Sequence, residues 1–391
     1  MSSEIVYTMF LIFTGAALVS TAVLFTRQSL LVAYMLLGII VGPYGFKLLS
    51  SSTLITQTGS IGIIFLLFLL GLNLHPQKLF LMLRKATAVT VISSIIFALM
   101  GFVIARVFGY TNVESLIVGA AMMFSSTIIG LKLLPTTILH HRHIGEVMIS
   151  VLLLQDLLAI IVLLFLTGAT EQGGLTWSNL LLTTIALPLL LLVGFLVEKY
   201  VLVKLLARFD HIKEYVFLLS IGWCLGMAML ANVLGLSEEI GAFIAGVSLA
   251  ASPIALYIAE SLKPLRDFFL VLFFFTIGAG FNLHYLPEVI IPTLVLSIAI
   301  LVIKPTTFAW LFQSAREGKK ISWEVGLRLA QASEFSLLIA YMAVTSQIPL
   351  IGDSANYLIQ AATIVTFIVS SYWVVLRYPT PLALTDRMRK D

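Results

Sequence analysis

The chain has 391 residues, 60% of them hydrophobic and 11% charged, with a formal net charge of +4 and a mean hydropathy of +1.08. A soluble domain carries about 25% charged residues, so this composition excludes a water-facing surface, and lipid must cover most of the chain. No basic block interleaved with aromatics supports nucleic-acid binding, and Cys224, the single cysteine, excludes an internal disulfide or a cysteine metal cage.

The first apolar stretch, 5–25, has no basic residue before it and Arg27 after it. A signal peptide needs the reverse order and a shorter core, so this stretch reads as a retained membrane helix. Further stretches of the length a spanning helix needs follow near 29–49, 57–74, 86–108, 114–135, 145–168, 178–203, 214–235, 238–252, 267–284, 287–312, 324–345 and 354–377. That gives about thirteen spans, of which 238–252 is the shortest. The basic residues test this count. Alternate loops hold Arg27; Lys78, Arg84 and Lys85; Arg142; Lys199, Lys204, Arg208 and Lys213; Lys263 and Arg266; Arg316, Lys319 and Lys320, while the others hold little beyond Lys47 and Arg106. By the positive-inside rule the N-terminus lies outside and the C-terminus in the cytoplasm, which an odd number of spans requires.

An internal repeat is legible. Gly71-Leu72-Asn73-Leu74-His75 aligns with Gly280-Phe281-Asn282-Leu283-His284 at a spacing of 209, and Leu37-Gly38 with Ala245-Gly246 at 208. The copies, near 29–168 and 238–377, join the third span to the tenth and so run in opposite senses. Inverted repeats build many secondary transporters, with the site at the repeat interface near mid-bilayer.

Polar groups inside these spans are the site candidates, because an ionisable side chain at mid-membrane costs about 2.5–3.5 kcal/mol on insertion scales. Asp156, beside Gln155, lies in the middle of a continuous apolar helix; the alternative is a buried pairing with Lys304 or Arg328 that only holds helices together. In the fifth span Ser125, Ser126 and Thr127 lie between Gly119 and Gly130, with Pro135 closing it, which suits a locally unwound helix whose carbonyls face a cavity. A shift of 209 lands on Gln331, Ser333, Glu334 and Ser336 in the twelfth span, and paired interruptions in two halves point to a transporter site. The alternative is that these hydroxyls bond back to their own helices. Lys304, before Pro305, is placed to pair with Asp156 or to offset the dipole ends of broken helices, against the alternative of snorkelling. Arg328, near a helix start, is read as equally suited to snorkel. His140, His141 and His143 with Arg142 read as a basic or pH-sensitive loop rather than a metal site. Glu238 and Glu239 read as facing the outer aqueous side, and Asn73 and Asn282 as helix ends.

Leu153-Leu154-Gln155-Asp156, Gly71-Leu72-Asn73-Leu74, the run Ser237 to Gly246, and Gln331-Ala332-Ser333-Glu334-Phe335 together resemble the cation:proton antiporter-2 family, in particular the membrane domain of Kef-type potassium efflux proteins. The resemblance covers essentially the whole chain. It implies an all-α membrane protein of thirteen helices, NhaA-like, with two crossed discontinuous helices, working as a homodimer in a bacterial inner membrane. It also implies that Asp156 is the exchanging carboxylate, Gln155 its polar neighbour, and Ser125 to Thr127 part of a site for K+ or Na+, with no cofactor in this chain. Kef-type proteins add a cytoplasmic nucleotide-binding domain after the last helix. No GxGxxG strand-turn-helix precedes Asp391, so a regulatory domain is expected either to be missing from this chain or not to gate it. Asn73 stands where Kef-type proteins commonly carry Glu. Sodium-selective relatives carry Asp-Asp or Asn-Asp where this chain has Gln155-Asp156, which leans to potassium. The expected function is exchange of a monovalent cation for protons by alternating access. The rival is a gated cation channel or leak, for which no carbonyl-ring filter is present, and no nucleophile–base pattern suggests an enzyme.

Overall fold

The computed structural model describes residues 2–49, 52–73, 76–134, 143–170, 177–209, 211–250, 252, 255–345 and 349–380. Among these residues every regular element of more than a single bridge is a helix: α1 (Ser2–Phe25), α2 (Leu30–Val41), α3 (Ser52–Asn73), α4 (Pro76–Val107), α5 (Asn112–Met122), α6 (Thr127–Lys132), α7 (His143–Thr170), α8 (Trp177–Val197), α9 (Val203–Phe209), α10 (Lys213–Val233), α11 (Glu238–Ala250), α12 (Ala255–Ser261), α13 (Lys263–Ala279), α14 (Leu286–Ser314), α15 (Lys319–Arg328), α16 (Glu334–Thr345) and α17 (Asp353–Arg377). A π-helical turn, Glu198–Leu202, joins α8 to α9.

Among the described residues, seven helices are long and apolar enough to cross a membrane. Several of the others are shorter than the stretches read from hydrophobicity, for local reasons. α2 stops at Val41, where Gly42 takes an extended conformation and bonds back to the Gly38 carbonyl. The stretches 114–135 and 324–345 are each divided, at 123–126 and 329–333. α5 is started by a capping box in which Thr111 accepts from the Glu114 amide and Glu114 from the Thr111 amide, satisfying two donors that a helix start leaves open.

Close packing fixes how the short helices sit. α2 lies against α13, and α3 against α11 and α13. A Cβ on Gly38 would fall on the Phe275 carbonyl, and one on Gly246 would fall on the Phe68 carbonyl and within 2.8 Å of the Leu72 nitrogen. Gly71 and Gly278 meet Phe243 and Met35 in the same way. Small residues at such crossings let backbones approach and gain dispersion contacts where no hydrophobic force separates helix from lipid.

Four helix boundaries recur at one offset. α4 and α14 end at Val107 and Ser314, α5 and α15 begin at Asn112 and Lys319, α6 and α16 begin at Thr127 and Glu334, and α7 and α17 end at Thr170 and Arg377, each pair 207 residues apart. These boundaries lie two residues closer than the spacing of 209 between the Gly-Leu-Asn motifs, and the equivalent crossings at Gly38 and Gly246 lie 208 apart. Gly71 takes the packing position of Gly278, not of Gly280.

Candidate functional site

The two interrupted helices meet at their breaks. Beyond Met122 the chain leaves the helix until Thr127, and beyond Arg328 until Glu334. Each break frees main-chain groups that need partners, and the two supply one another. Ser125 Oγ donates to the Leu329 carbonyl at 2.9 Å, Ser336 Oγ to the Ala121 carbonyl at 2.5 Å, and Gln331 Nε2 to the Ser126 carbonyl at 3.4 Å. Ser126 Oγ accepts from the Ile129 amide at 3.1 Å and Ser333 Oγ from the Phe335 amide at 3.2 Å, so one serine precedes and caps each second half-helix. Thr366 Oγ1 on α17 accepts from the Ala332 amide at 3.2 Å, and Ser370 Oγ donates to Gln331 Oε1 at 2.8 Å. The sequence alternative, hydroxyls bonded back to their own helices, does not describe Ser125 or Ser336.

Gln155 and Asp156 reach this junction from α7. Gln155 Oε1 accepts from the Ser125 amide at 3.1 Å, and its Nε2 donates to the Met123 carbonyl at 3.4 Å. Asp156, 3% exposed, accepts from Thr127 Oγ1 at 3.1 and 3.3 Å. Thr127 and Glu334, the first residues of the two second half-helices, line a cavity of about 150 Å³ with Arg266, Leu70, Phe273 and Phe335. The cavity therefore reaches Thr127 and ends one hydrogen bond short of the Asp156 carboxylate. Its walls are mainly α3 and α13, which carry no charge there beyond Arg266.

Lys304 is fully buried, and its ammonium donates to the Phe124 carbonyl at 2.5 Å and the Gln331 carbonyl at 3.1 Å. It thus holds one carbonyl from each break and stands over the Phe97 ring at 5.2 Å. Its hydrogen-bond partners are carbonyls at the helix breaks rather than the Asp156 carboxylate. Among the described residues no ion pair joins Asp156 to Lys304 or Arg328, and neither Lys304 nor Arg328 snorkels. Arg328, 1% exposed, pairs with Glu324 at 3.0 Å and donates to the carbonyls of Leu133 and Pro379. Sequence reasoning left Arg328 undecided because its partners are mostly main-chain carbonyls, which no motif displays.

The offset of 207 exposes an asymmetry. Thr127 corresponds to Glu334, Asp156 to Thr363 and Lys304 to Phe97. The charges that make the site chemically distinctive are each present in one half only.

The remaining candidates fall outside the junction. His140, His141, Arg142, Pro135, Leu74 and His75 lie outside the described residues. His143 pairs with Glu317 at 2.9 Å at the exposed start of α7. Asn282 accepts from the His284 amide at 3.0 Å, as a helix-end residue does, and Asn232 donates to Glu238 at 3.2 Å. Glu239 borders a small apolar pocket with Leu67, Ile160 and Phe243. Among the described residues no group of His, Cys, Asp and Glu could hold a metal ion. Sequence reasoning missed Asn356, Gln360, Thr363, Thr366, Ser370 and Ser371, all buried on α17; their three- and four-residue spacing in an apolar helix was the available signal.

Residues 10–376 match the family described as sodium/hydrogen exchanger, transmembrane. The chain is 31% identical over 322 residues to K(+) efflux antiporter 5 of Arabidopsis thaliana, covering 80% of this chain and 56% of that one. It is 24% identical over 348 residues to the iron transporter MagA of Paramagnetospirillum magneticum, covering 89% and 80%. The sodium proton antiporter MjNhaP1 from Methanocaldococcus jannaschii superposes with a TM-score of 0.67 at 17% identity, over 95% of this chain and 99% of that one. The chain thus has the fold of that antiporter, and it spans under three-fifths of the length of the K(+) efflux antiporters it matches. These matches agree with the motif resemblance to cation:proton antiporters.

Proposed function

The chain belongs to the transmembrane sodium/hydrogen exchanger family, and from that premise we propose that it is a secondary antiporter that exchanges a monovalent cation for protons by alternating access, with Asp156 as the exchanging group. It is an integral membrane protein, since its family is transmembrane and seven helices among the described residues are long and apolar enough to span. The observation that carries the mechanism is the position of Asp156: a buried carboxylate in contact with Thr127, at the end of a cavity. A carboxylate must be unprotonated to ligate a cation, so cation binding and proton binding exclude one another. Thr127, the carbonyls freed at the two breaks and the Glu334 carboxylate supply the further oxygen donors that a hard cation takes. Ser125, Ser126, Gln155, Gln331 and Ser333 keep the breaks open by occupying the main-chain groups that would otherwise close the helices.

The recurring boundaries support an inverted repeat of 29–168 and 238–377, and the meeting of the breaks supports two crossed discontinuous helices in a thirteen-span, NhaA-like fold. Alternating access then follows from rocking the bundle that carries the breaks against a scaffold built around the closely packed α2, α3, α11 and α13. The alternating basic loops support an N-terminus outside and a C-terminus in the cytoplasm of a bacterial inner membrane. K+ is the favoured cation, on the K(+) efflux antiporter relatives and on Gln155, where sodium-selective relatives carry Asp or Asn. A homodimer is the expected assembly, and a cytoplasmic regulatory domain, on this chain or separate, is its expected partner. The test is a vesicle assay: in proteoliposomes with an internal pH dye, added K+ should change the internal pH, with Na+ and Li+ less effective. Cation flux without proton movement would mean a channel or leak.

A further inference from the structure

Helix packing divides the described residues into two groups. α4, α5 and α7 pack with α14 to α17, and α1 to α3 pack with α8 and α10 to α13; α2 against α17 is the main crossing between them. The close glycine contacts keep to the same division. Gly38, Gly71, Gly246 and Gly278 touch backbone within the group that holds α2, α3, α11 and α13, whereas Gly119 and Gly326 touch Ala98 and Pro305 within the other. Among the described glycines none meets backbone across the seam. The seam is therefore built from side chains, which can slide or part where interlocked backbones cannot.

Two hollows lie in this seam, on successive turns of the same helices. The cavity of about 150 Å³ takes Glu334, Phe335 and Leu338 from α16 and reaches Thr127, the hydrogen-bond partner of Asp156. Met342, one turn beyond Leu338, borders instead a pocket of about 20 Å³, as do Ile160 and Leu163, one and two turns beyond Asp156 on α7. Leu67 of α3 borders both. The smaller pocket has room for about one water, and its apolar walls, completed by Ile240 and Phe243 of α11, are 9% exposed or less. At the same end, Ser60 and Tyr341 share a hydrogen bond of 3.4 Å between α3 and α16. Arg266, in the first turn of α13, lies in the wall of the larger cavity, and the loop charges place that end of α13 in the cytoplasm. The seam is thus hollow on the cytoplasmic side of Asp156 and shut on the outer side.

Glu239 is the one ionisable side chain among the residues lining the shut pocket. A place in the first turn of α11 suits any carboxylate, but Glu238 beside it accepts from Asn232 and takes no part in the pocket. A carboxylate against apolar side chains is poorly hydrated while the pocket is shut and gains water when it opens. It therefore favours opening, and then sets a negative charge beside the route. We propose that this pocket is the closed outer gate of the transport path, and that Glu239 is the group that draws the cation in from outside once the gate opens. The cation-drawing role rests on the antiport reading; the parting of the seam does not.

Two measurements on the full chain test it. In right-side-out and everted membrane vesicles at alkaline pH, where protons compete least, the half-saturating K+ concentration is read at each face. Glu239→Gln should raise it about three- to tenfold at the outer face, the scale of one charge acting through partly hydrated protein, and leave it no higher at the inner face. Glu239→Asp keeps the charge and should stay within about twofold of the unsubstituted protein. An unchanged outer value in Glu239→Gln, or an equal rise at both faces, overturns the role of Glu239. For the gate, Met342→Cys and Leu163→Cys, each in a Cys224→Ala background, are treated with a membrane-impermeant methanethiosulfonate. Thiol reaction requires access, so both should react from the outer face, at least about fivefold faster while a K+ gradient drives flux than at rest. One rate in both conditions, or reaction from the inner face alone, overturns the gate. If the unsubstituted protein moves K+ without protons, the antiport reading fails instead, and the cysteine rates still decide whether this seam opens.

Discussion

Replacing Lys304 with Met keeps the side-chain length and removes the donor. In the structure that leaves the carbonyls of Phe124 and Gln331 buried without their ammonium partner. Each stranded acceptor costs about 1–3 kcal/mol, so the loss is on the order of 2–6 kcal/mol. Relief of the several kcal/mol that burying an ammonium costs brings the net to the lower end, about 2–3 kcal/mol. Lys304→Gln retains a donor for one carbonyl and should lose about half as much. Unfolding in detergent, followed through the five tryptophans, measures both. The decisive comparison is a double-mutant cycle with Asp156→Asn. With no ion pair between Lys304 and Asp156, the two losses should add to within about 0.5 kcal/mol. If Asp156→Asn restored the stability of Lys304→Met, Lys304 would be the counter-ion of Asp156, and its assignment to the breaks would be wrong.

Two further outcomes follow from the packing. Arg328→Met strands Glu324 and the carbonyls of Leu133 and Pro379 and should cost about 3–5 kcal/mol; adding Glu324→Leu should recover much of that loss in the same unfolding assay, and no recovery would deny the pair a role in stability. Gly246→Ala places a methyl on the Phe68 carbonyl and should cost about 1–3 kcal/mol, whereas Gly222→Ala, with nothing within 4 Å, should stabilise α10 by up to about 1 kcal/mol; equal effects would mean that the α3–α11 crossing is not tight.

What the sequence displays depends on how a residue departs from its surroundings. Asp156 and Gln155 stand out because they are polar in a continuous apolar helix, and the structure brings them to Thr127 and Ser125 as that contrast suggests. The breaks at 123–126 and 329–333 are legible through clustered Ser, Thr and Gln. Lys304 was visible as a charge, but its partners were not, because they are carbonyls that exist as free acceptors only once two helices unwind. The Gly38 and Gly246 crossings keep the spacing of 208 legible in the sequence, whereas Gly71 packs as Gly278 does, so the Gly-Leu-Asn motif by itself does not set the spatial match. Helix length was overestimated at α2, where hydrophobicity continues past Gly42 but the helix does not.

The central claim, that one carboxylate carries either a proton or a cation, is tested most directly by counting protons when a cation binds. Purified protein in a weakly buffered solution containing a pH dye is titrated with K+ near the pH at which exchange is half-maximal. Protons should be released in step with binding, up to about one per site, and Asp156→Asn should release none. Cation binding without proton release in the unsubstituted protein, or full release in Asp156→Asn, would contradict the account.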